Sequence, residues 1–130
     1  MFFKPGLLIS TDRAHVGRIG PYLQNELRRR FADHPLIGEI RGVGLIAAME
    51  LVADKDSHGN FDPREKIGAR WMKLCEDNGV IVRSVANDSL CFSPPLVIST
   101  AEIDEMLDRV SESLDELTVQ LRREQIAVVR

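Results

Sequence analysis

Apolar residues recur at three- and four-residue steps in the first third of the chain, which is the spacing of one helix face. The stripe consists of Val16, Ile19, Leu23, Leu27 and Phe31. We predict a helix capped by Thr11 or Asp12, which ends at Asp33-His34-Pro35 because the residue before a proline avoids the helical region. Gly20-Pro21 lies inside the stripe and predicts either a kink or a restart of the helix at Pro21.

The next segment is rich in Ile, Val, Leu and small residues, which indicates extended strands. We predict strands over residues 37–43 and 45–51, divided by the turn signal Arg41-Gly42-Val43-Gly44. The continuous apolar character of the second strand is typical of an interior strand with helices on one side. Further on, residues 80–83 and 90–92 predict a hairpin around a turn at Ala86-Asn87-Asp88.

Two more helices have clear start and stop signals. The second is predicted to begin at Asp62-Pro63, with Glu65 closing a capping box, and to end at Asn78-Gly79. The third begins with a capping box formed by Ser99 and Glu102. Its apolar stripe runs over five turns and comprises Ile103, Met106, Leu107, Val110, Leu114, Leu117 and Leu121.

The order of these elements predicts a two-layer α+β domain, in which helices pack on one face of a small mixed or antiparallel sheet. We divide the chain into a lead-in over residues 1–12 and one domain over residues 13–130. With 130 residues, 44% of them hydrophobic and 28% charged, such a domain can bury a core without disulfides or a structural metal.

Composition excludes several classes of function. The net charge of −3 lacks the basic excess that nucleic-acid binding requires, and no apolar run is long enough to span a membrane. Cys75 and Cys91 lie 16 residues apart and match no zinc or redox spacing. We therefore expect two reduced thiols, both buried in the core as small hydrophobic residues, in a cytoplasmic protein.

Little in the chain indicates catalysis. The three histidines share no spacing, which favours surface or capping roles over a metal site. They are His15, His34 and His58. The Gly42-x-Gly44 pair favours a tight turn over a phosphate loop. The run Arg28-Arg29-Arg30 favours a solvated helix face over a nucleic-acid patch.

Arg83 differs, because it ends the predicted buried strand just before a turn. An arginine in that position needs a partner, and its planar fork can bind a carboxylate with two hydrogen bonds. Two interpretations follow: an ion pair within the domain, with an acid such as Asp88, or the binding of a carboxylate ligand. Charges near sheet ends often pair locally, so the residues alone favour the ion pair.

Three segments, in order, resemble the class III aminotransferases. Residues 34–52 (HPLIGEIRGVGLIAAMELV) are similar to that family's RGxGL…EL stretch, and residues 79–83 (GVIVR) to one of its strands. Residues 93–104 (SPPLVISTAEID) resemble the entry to its final helix. Together they cover roughly residues 14 to 120 and indicate the C-terminal small domain of an ω-aminotransferase-like enzyme of fold type I.

The resemblance implies a reaction that transfers an amino group between an amine or amino acid and a keto acid through pyridoxal phosphate. The family's Schiff-base lysine, its aspartate facing the pyridine nitrogen and its phosphate-contacting threonine belong to the large domain, upstream of these motifs. None of the chain's lysines stands in a matching context. They are Lys4, Lys55, Lys66 and Lys73. We therefore assign no catalytic residue and expect no covalent cofactor attachment to this chain.

One binding residue carries over from the resemblance. Arg83 matches the small-domain arginine that contacts the substrate carboxylate and can swing aside for apolar amines, whereas Arg41 matches a position that we interpret as structural. The lead-in and the turn at 86–88 depart from the family pattern, which leaves the substrate class open.

Our first hypothesis is a truncated C-terminal aminotransferase fragment that does not transaminate alone. Its exposed apolar surface would favour a homo-oligomer, most simply a dimer. The alternative is a stand-alone α+β interaction or regulatory module that has lost catalysis. An independent small enzyme has no supporting constellation of residues.

Overall fold

The structure is a computed structural model that describes residues 12–95, 98–124 and 126. In these residues, three helices are separated by two pairs of strands. The helices are α1 (Asp12–Phe31), α2 (Ile67–Asp77) and α3 (Thr100–Arg123). The strands are β1 (Ile37–Val43), β2 (Ile46–Leu51), β3 (Arg83–Val85) and β4 (Ser89–Phe92). A single turn of 3-10 helix, Pro63–Glu65, precedes α2.

The four strands form one antiparallel sheet in the order β1-β2-β4-β3. This confirms the α+β prediction and the interior position of β2. Val43 pairs with Ile46 across the two-residue turn Gly44-Leu45, so the turn begins later than its sequence signal indicates. Gly44 has a φ of 60°, a left-handed conformation that favours glycine in a tight hairpin.

The core lies between the sheet and the three helices. All seven apolar residues of the predicted α3 stripe are buried, as are Ile19, Leu23, Leu27 and Phe31 of α1. Among them sits one small polar cluster between α2 and α3. The Ser113 hydroxyl donates to the Val110 carbonyl at 2.6 Å and accepts the Trp71 indole N–H at 3.0 Å. The Cys75 thiol lies 3.2 Å from the same hydroxyl.

Helix α1 continues through Pro21, so the restart, one of the two predicted alternatives at that proline, does not occur. The neighbouring Gly20 serves packing instead. A Cβ built on Gly20 would lie 2.9 Å from the Gly44 Cα, closer than real side chains approach. The missing side chain thus allows α1 to touch the β1–β2 turn, and Gln24 Nε2 reinforces the contact by donating to the Gly44 carbonyl at 2.9 Å.

The second helix begins later than predicted. Asp62 caps only the short 3-10 turn, by accepting from the Arg64 N–H at 3.0 Å. Lys66 then adopts a φ of 51°, which breaks the helical path, and α2 starts at Ile67. Glu65 closes no capping box; its side chain lies 3.3 Å from Arg70 instead. At the other end, Asn78 and Gly79 terminate α2 as predicted, with Gly79 at a φ of 85°.

The strand predicted over 80–83 is mostly unpaired. Val80 and Val82 are buried, but within the described residues the ladder with β4 begins only at Arg83. The third helix fits its prediction, because Ser99 and Glu102 form the complete capping box. Thr11 and most of the proposed lead-in lie outside the described residues, so the boundary between residues 12 and 13 stays a prediction. No helix in 12–95 or 98–124 is long and apolar enough to cross a membrane.

Candidate functional site

Among the described residues, helices cover one face of the sheet and leave the other face open. Residues paired in an antiparallel ladder point to the same side, so the register identifies the open face. Its members are Glu39, Arg41, Val43, Ile46, Ala48, Glu50, Arg83, Val85, Ser89 and Cys91. Several of its apolar side chains are exposed, with Val43 at 79% and Ile46 at 64%. This face therefore carries the exposed charged and apolar side chains of the sheet.

Arg83 is the first residue of β3, on the outer edge of this face, opposite Cys91. Its side chain is exposed rather than buried, because the ladder starts at this residue and no helix covers it. In the described part of the chain no acceptor takes a hydrogen bond or an ion pair from its guanidinium group. All five N–H donors of the fork are therefore available to a ligand.

The interpretation that Arg83 forms a local ion pair with Asp88 is wrong. Asp88 belongs to the β3–β4 turn, and its Oδ1 accepts a hydrogen bond from the Gly68 N–H at 2.9 Å. That N–H is one of the unpaired donors in the first turn of α2, and a carboxylate is favoured there by the helix dipole. Asp88 thus stabilises the start of α2 and leaves Arg83 unpaired.

The second arginine of the open face has a partner. Arg41 Nη1 lies 3.1 Å from Glu39 Oε1, two residues earlier on the same strand, and about half of each side chain is exposed. An exposed pair of this kind contributes little to stability. The interpretation of Arg41 as structural rests on this pairing and stays a prediction.

Arg29 and Arg30 of the arginine run have structural partners. Arg29 pairs with Glu26 at 2.7 Å, and hydrogen bonds from Arg29 hold the pKa of the Glu26 carboxyl down at about 2. Arg30 joins α1 to α3 through Asp108 at 2.6 Å. These ion pairs favour the solvated-face interpretation of the arginine run, because its charges are used within the fold.

The histidines have separate roles. His34 Nδ1 accepts the Leu36 N–H at 3.1 Å, which is the predicted capping role, and burial lowers the pKa of its imidazole. His58 differs: its Nε2 lies 2.9 Å from Glu50 Oε1 on the open face. The side chain of His15 lies outside what the structure describes.

The described lysines do not fit covalent attachment of pyridoxal phosphate, which needs a free amine beside a phosphate cradle. Lys55 donates to the carbonyls of Ala32 and His34, and Lys73 pairs with Asp77 at 2.9 Å. Lys66 lines a cavity of about 310 Å³ at the start of α2. However, Asp88 Oδ1 already accepts the Gly68 N–H there at 2.9 Å, and its negative charge disfavours a phosphate. No step of catalysis is assigned to these residues.

The two thiols are free and lie in different environments. Cys75 is buried between α2 and α3, and burial raises the pKa of its thiol to about 11. This confirms its interpretation as a small core residue. Cys91 is half-buried and points to the open face opposite Arg83, so its interpretation as a core thiol is wrong.

The sequence did not predict one cluster of side chains that could hold a metal ion. Ligand atoms of Glu39, Glu50 and His58 all lie within 4.8 Å of one another. Glu39 and Glu50 are cross-strand partners, and His58 reaches them from the loop after β2. The available signal was Glu50 itself, a charged residue near the end of the apolar run LIAAMEL.

Comparison with known sequences supports a single family. The model of the family described as Aminotransferase class-III matches residues 11–114. The diaminobutyrate–2-oxoglutarate transaminase of Halomonas elongata is 37% identical over 112 residues, which are 85% of this chain and 24% of that protein. The putrescine–pyruvate aminotransferase of Pseudomonas aeruginosa is 43% identical over 96 residues, 74% of this chain and 20% of the relative.

Solved structures agree. A transaminase from a study of ancestral reconstruction superposes with a TM-score of 0.83 at 44% identity, over 85% of this chain and 24% of the other. The omega-transferase of Vibrio fluvialis gives a TM-score of 0.83 at 31% identity, over 88% and 27%. The chain spans about a quarter of the length of these proteins. By sequence and by fold, the chain belongs to the class III aminotransferases.

Proposed function

We propose that this chain serves as the C-terminal part of a pyridoxal-phosphate-dependent aminotransferase and that Arg83 binds the carboxylate of the substrate there. The observation that carries the proposal is the exposed, unpaired guanidinium group of Arg83 on the open face. Its nearest predicted partner, Asp88, is bound to Gly68 instead. Arginine on a sheet edge without a local acid is suited to a ligand that carries its own carboxylate.

The relatives support a carboxylate substrate. The protein of Halomonas elongata is named for 2-oxoglutarate, and a mitochondrial relative in Solanum lycopersicum is named for gamma-aminobutyrate, at 42% identity over 101 residues. Both compounds contain carboxylates. A bidentate pair between guanidinium and carboxylate would fix the orientation of such a substrate. Since none of the described residues holds Arg83, its side chain can also move aside for an amine without a carboxylate.

Pyridoxal phosphate, when bound to the intact enzyme, would carry the amino group between the two substrates. The described lysines offer the cofactor no attachment. Its binding residues would therefore belong to another part of the intact enzyme. This chain would bind and orient the substrate. The open face, with its exposed Val43 and Ile46, would meet the rest of the enzyme or a second copy of the chain, and we propose a cytoplasmic homodimer.

Kinetics of a chimaera test the role of Arg83. Residues 13–124 would replace the matching segment of the Pseudomonas aeruginosa relative, and Arg83→Ala would be compared with the parent chimaera. Loss of a charged hydrogen-bonded pair costs about 1.5–3 kcal/mol, which corresponds to a KM for carboxylate substrates raised about 10- to 150-fold. The KM for amines without a carboxylate should change little.

Arg41→Ala provides the matched control, because it removes an arginine from the same face that is already paired with Glu39. It should leave both KM values near those of the parent. Equal effects of Arg83→Ala on carboxylate substrates and on simple amines would remove the carboxylate-binding proposal. A chimaera that folds and binds cofactor but transfers no amino group would favour the alternative, an interaction or regulatory module.

A further inference from the structure

We propose that Glu39, Glu50 and His58, together with the hydroxyl of Ser89, form a binding site for a divalent transition-metal cation such as Zn²⁺. The site lies on the open face of the sheet, at the end where the loop after β2 folds back over the strands. It is separate from the carboxylate site, since Arg83 lies on β3, the strand at the far edge. The proposal does not depend on the aminotransferase function.

The three strongest ligands already converge. One carboxylate oxygen from each glutamate and one imidazole nitrogen of His58 lie within 4.8 Å of one another. Ligands about 2.1 Å from a tetrahedral zinc ion lie about 3.4 Å apart, so a shift of roughly an ångström completes the geometry. The side chain of Glu50 is only 10% exposed, whereas His58 and Glu39 remain open to solvent at 46% and 47%. A cation could therefore enter from the solvent side, past Glu39 and His58, and bind the buried carboxylate of Glu50.

Ser89 supplies an independent observation. It is the cross-strand partner of Glu50, so its side chain points to the same face of the sheet. The residue is 1% exposed, and its hydroxyl has no hydrogen-bond partner among the described residues. A buried hydroxyl without a partner is costly, because the group loses its hydrogen bonds to water and gains none in the protein. A cation beside Glu50 would provide the missing partner for the Ser89 oxygen.

Charge favours a divalent ion. Among the described Lys and Arg residues, only Arg41 forms an ion pair with either of the two carboxylates, and its Nη1 contacts Glu39 at 3.1 Å. With neutral His58 the group has a net charge of about −1, and a dication would reverse this only to +1. The donor set of one imidazole nitrogen and several oxygens suits zinc and its first-row neighbours better than calcium or magnesium, which prefer oxygen alone.

Binding requires one proton to move. The 2.9 Å contact between His58 Nε2 and Glu50 Oε1 contains a hydrogen, which the cation would replace. If His58 is neutral, that proton shifts to Nδ1 and none is released. If the imidazole is charged, one proton leaves to solvent. No oxidant, reductant or second substrate is needed.

Calorimetric titration of the full, metal-free chain with ZnCl₂ at pH 7.5 tests the site. We expect one tight site per chain. His58→Gln and Glu50→Gln should each weaken it at least about tenfold, and Ser89→Ala should weaken it less. Co²⁺ should bind the same site and produce a visible absorption band that His58→Gln removes. Circular dichroism identifies variants that fail to fold, and the solvent-exposed Glu39→Gln replaces Glu50→Gln if that variant unfolds.

Two further variants separate this site from general metal binding. His34→Gln removes an imidazole that lies outside the cluster and should leave the affinity unchanged. Arg41→Gln removes the cation that competes for Glu39, so it should tighten binding about three- to tenfold. The proposal is overturned if no tight site is found, if His34→Gln and His58→Gln weaken binding equally, or if Arg41→Gln leaves the affinity unchanged in a folded chain.

Discussion

The two faces of the sheet use neighbouring residues of the same strands for opposite purposes. On β2, Met49 points towards the helices with no exposed surface, and the next residue, Glu50, points away from them. On β4, Leu90 lies in the core while Cys91 points to the open face. A difference of one position thus decides whether a side chain stabilises the fold or is presented to other molecules.

The two faces belong to the same four strands and differ only in whether helices pack against them. The helices bury an apolar stripe on one side only. The other side combines exposed Val43 and Ile46 with Arg83, which has no partner in the described residues. Exposed apolar side chains on the same face as an unpaired charge indicate an interface or a ligand site. Substitutions on the covered face should therefore affect folding, and those on the open face should affect binding.

The largest effect should come from Met49→Ala. Removal of this buried side chain leaves a cavity against the helices and should lower the free energy of unfolding by about 2–5 kcal/mol. Ile46→Ala, three residues earlier on the same strand and 64% exposed, should change it by no more than about 0.5 kcal/mol. Urea unfolding followed by Trp71 fluorescence measures both. Comparable losses would show that the open face also contributes to the core.

A smaller effect is expected where α1 touches the β1–β2 turn. Gly20→Ala would place a Cβ 2.9 Å from the Gly44 Cα and force the helix away, at a cost of about 1–3 kcal/mol. Gly17→Ala is the matched control, because nothing lies within 4 Å of its added Cβ. It should raise the free energy of unfolding by up to about 1 kcal/mol through helix propensity. Thermal melts of the two variants should move in opposite directions.

The smallest effect on stability should come from alkylation of the two thiols, one on the open face and one in the core. Iodoacetamide at pH 8 should modify Cys91 well before Cys75, since a thiol with a pKa of about 11 is ionised in only about one molecule in a thousand. Carbamidomethylation of Cys91 should change the free energy of unfolding by no more than about 0.5 kcal/mol. Peptide mass mapping over time gives the order of modification. Equal rates at both residues would mean that α2 and α3 separate readily.

Local signals predicted some elements completely. The α3 stripe and its capping box depend only on residues three or four apart, and both are confirmed. The strand bounds 37–43 also hold, because a long apolar segment and its glycine turn are visible in the sequence. The start of α2 was predicted too early, because the left-handed conformation of Lys66 has no sequence signal of its own.

The candidate sites were less predictable because they depend on register. Asp88 was a candidate ion-pair partner for Arg83, yet the way α2 meets the β3–β4 turn brings Gly68 to Asp88. The role of Arg83 itself came from family resemblance and stays a proposal. Glu39, Glu50 and Ser89 come from three strands, and only the pairing of β1, β2 and β4 brings them together. No local pattern contains that information.

The hydroxyl of Ser113 has a consequence for how α2 and α3 can move. It accepts the Trp71 indole N–H and lies 3.2 Å from the Cys75 thiol in the buried centre of the interface, where the other described side chains are apolar. The remaining polar contacts between the helices, such as that of Asn78 with Glu116, lie at its exposed margin. Leucine and isoleucine contacts alone would permit α2 to slide along α3 by a turn, since one apolar contact can replace another. Such a slide would leave the indole N–H buried without an acceptor, at a cost of about 1–3 kcal/mol. Ser113 thus fixes the axial register of α2 against α3. A Ser113→Ala chain would keep the apolar contacts of the interface but lose the hydrogen bond that selects this register.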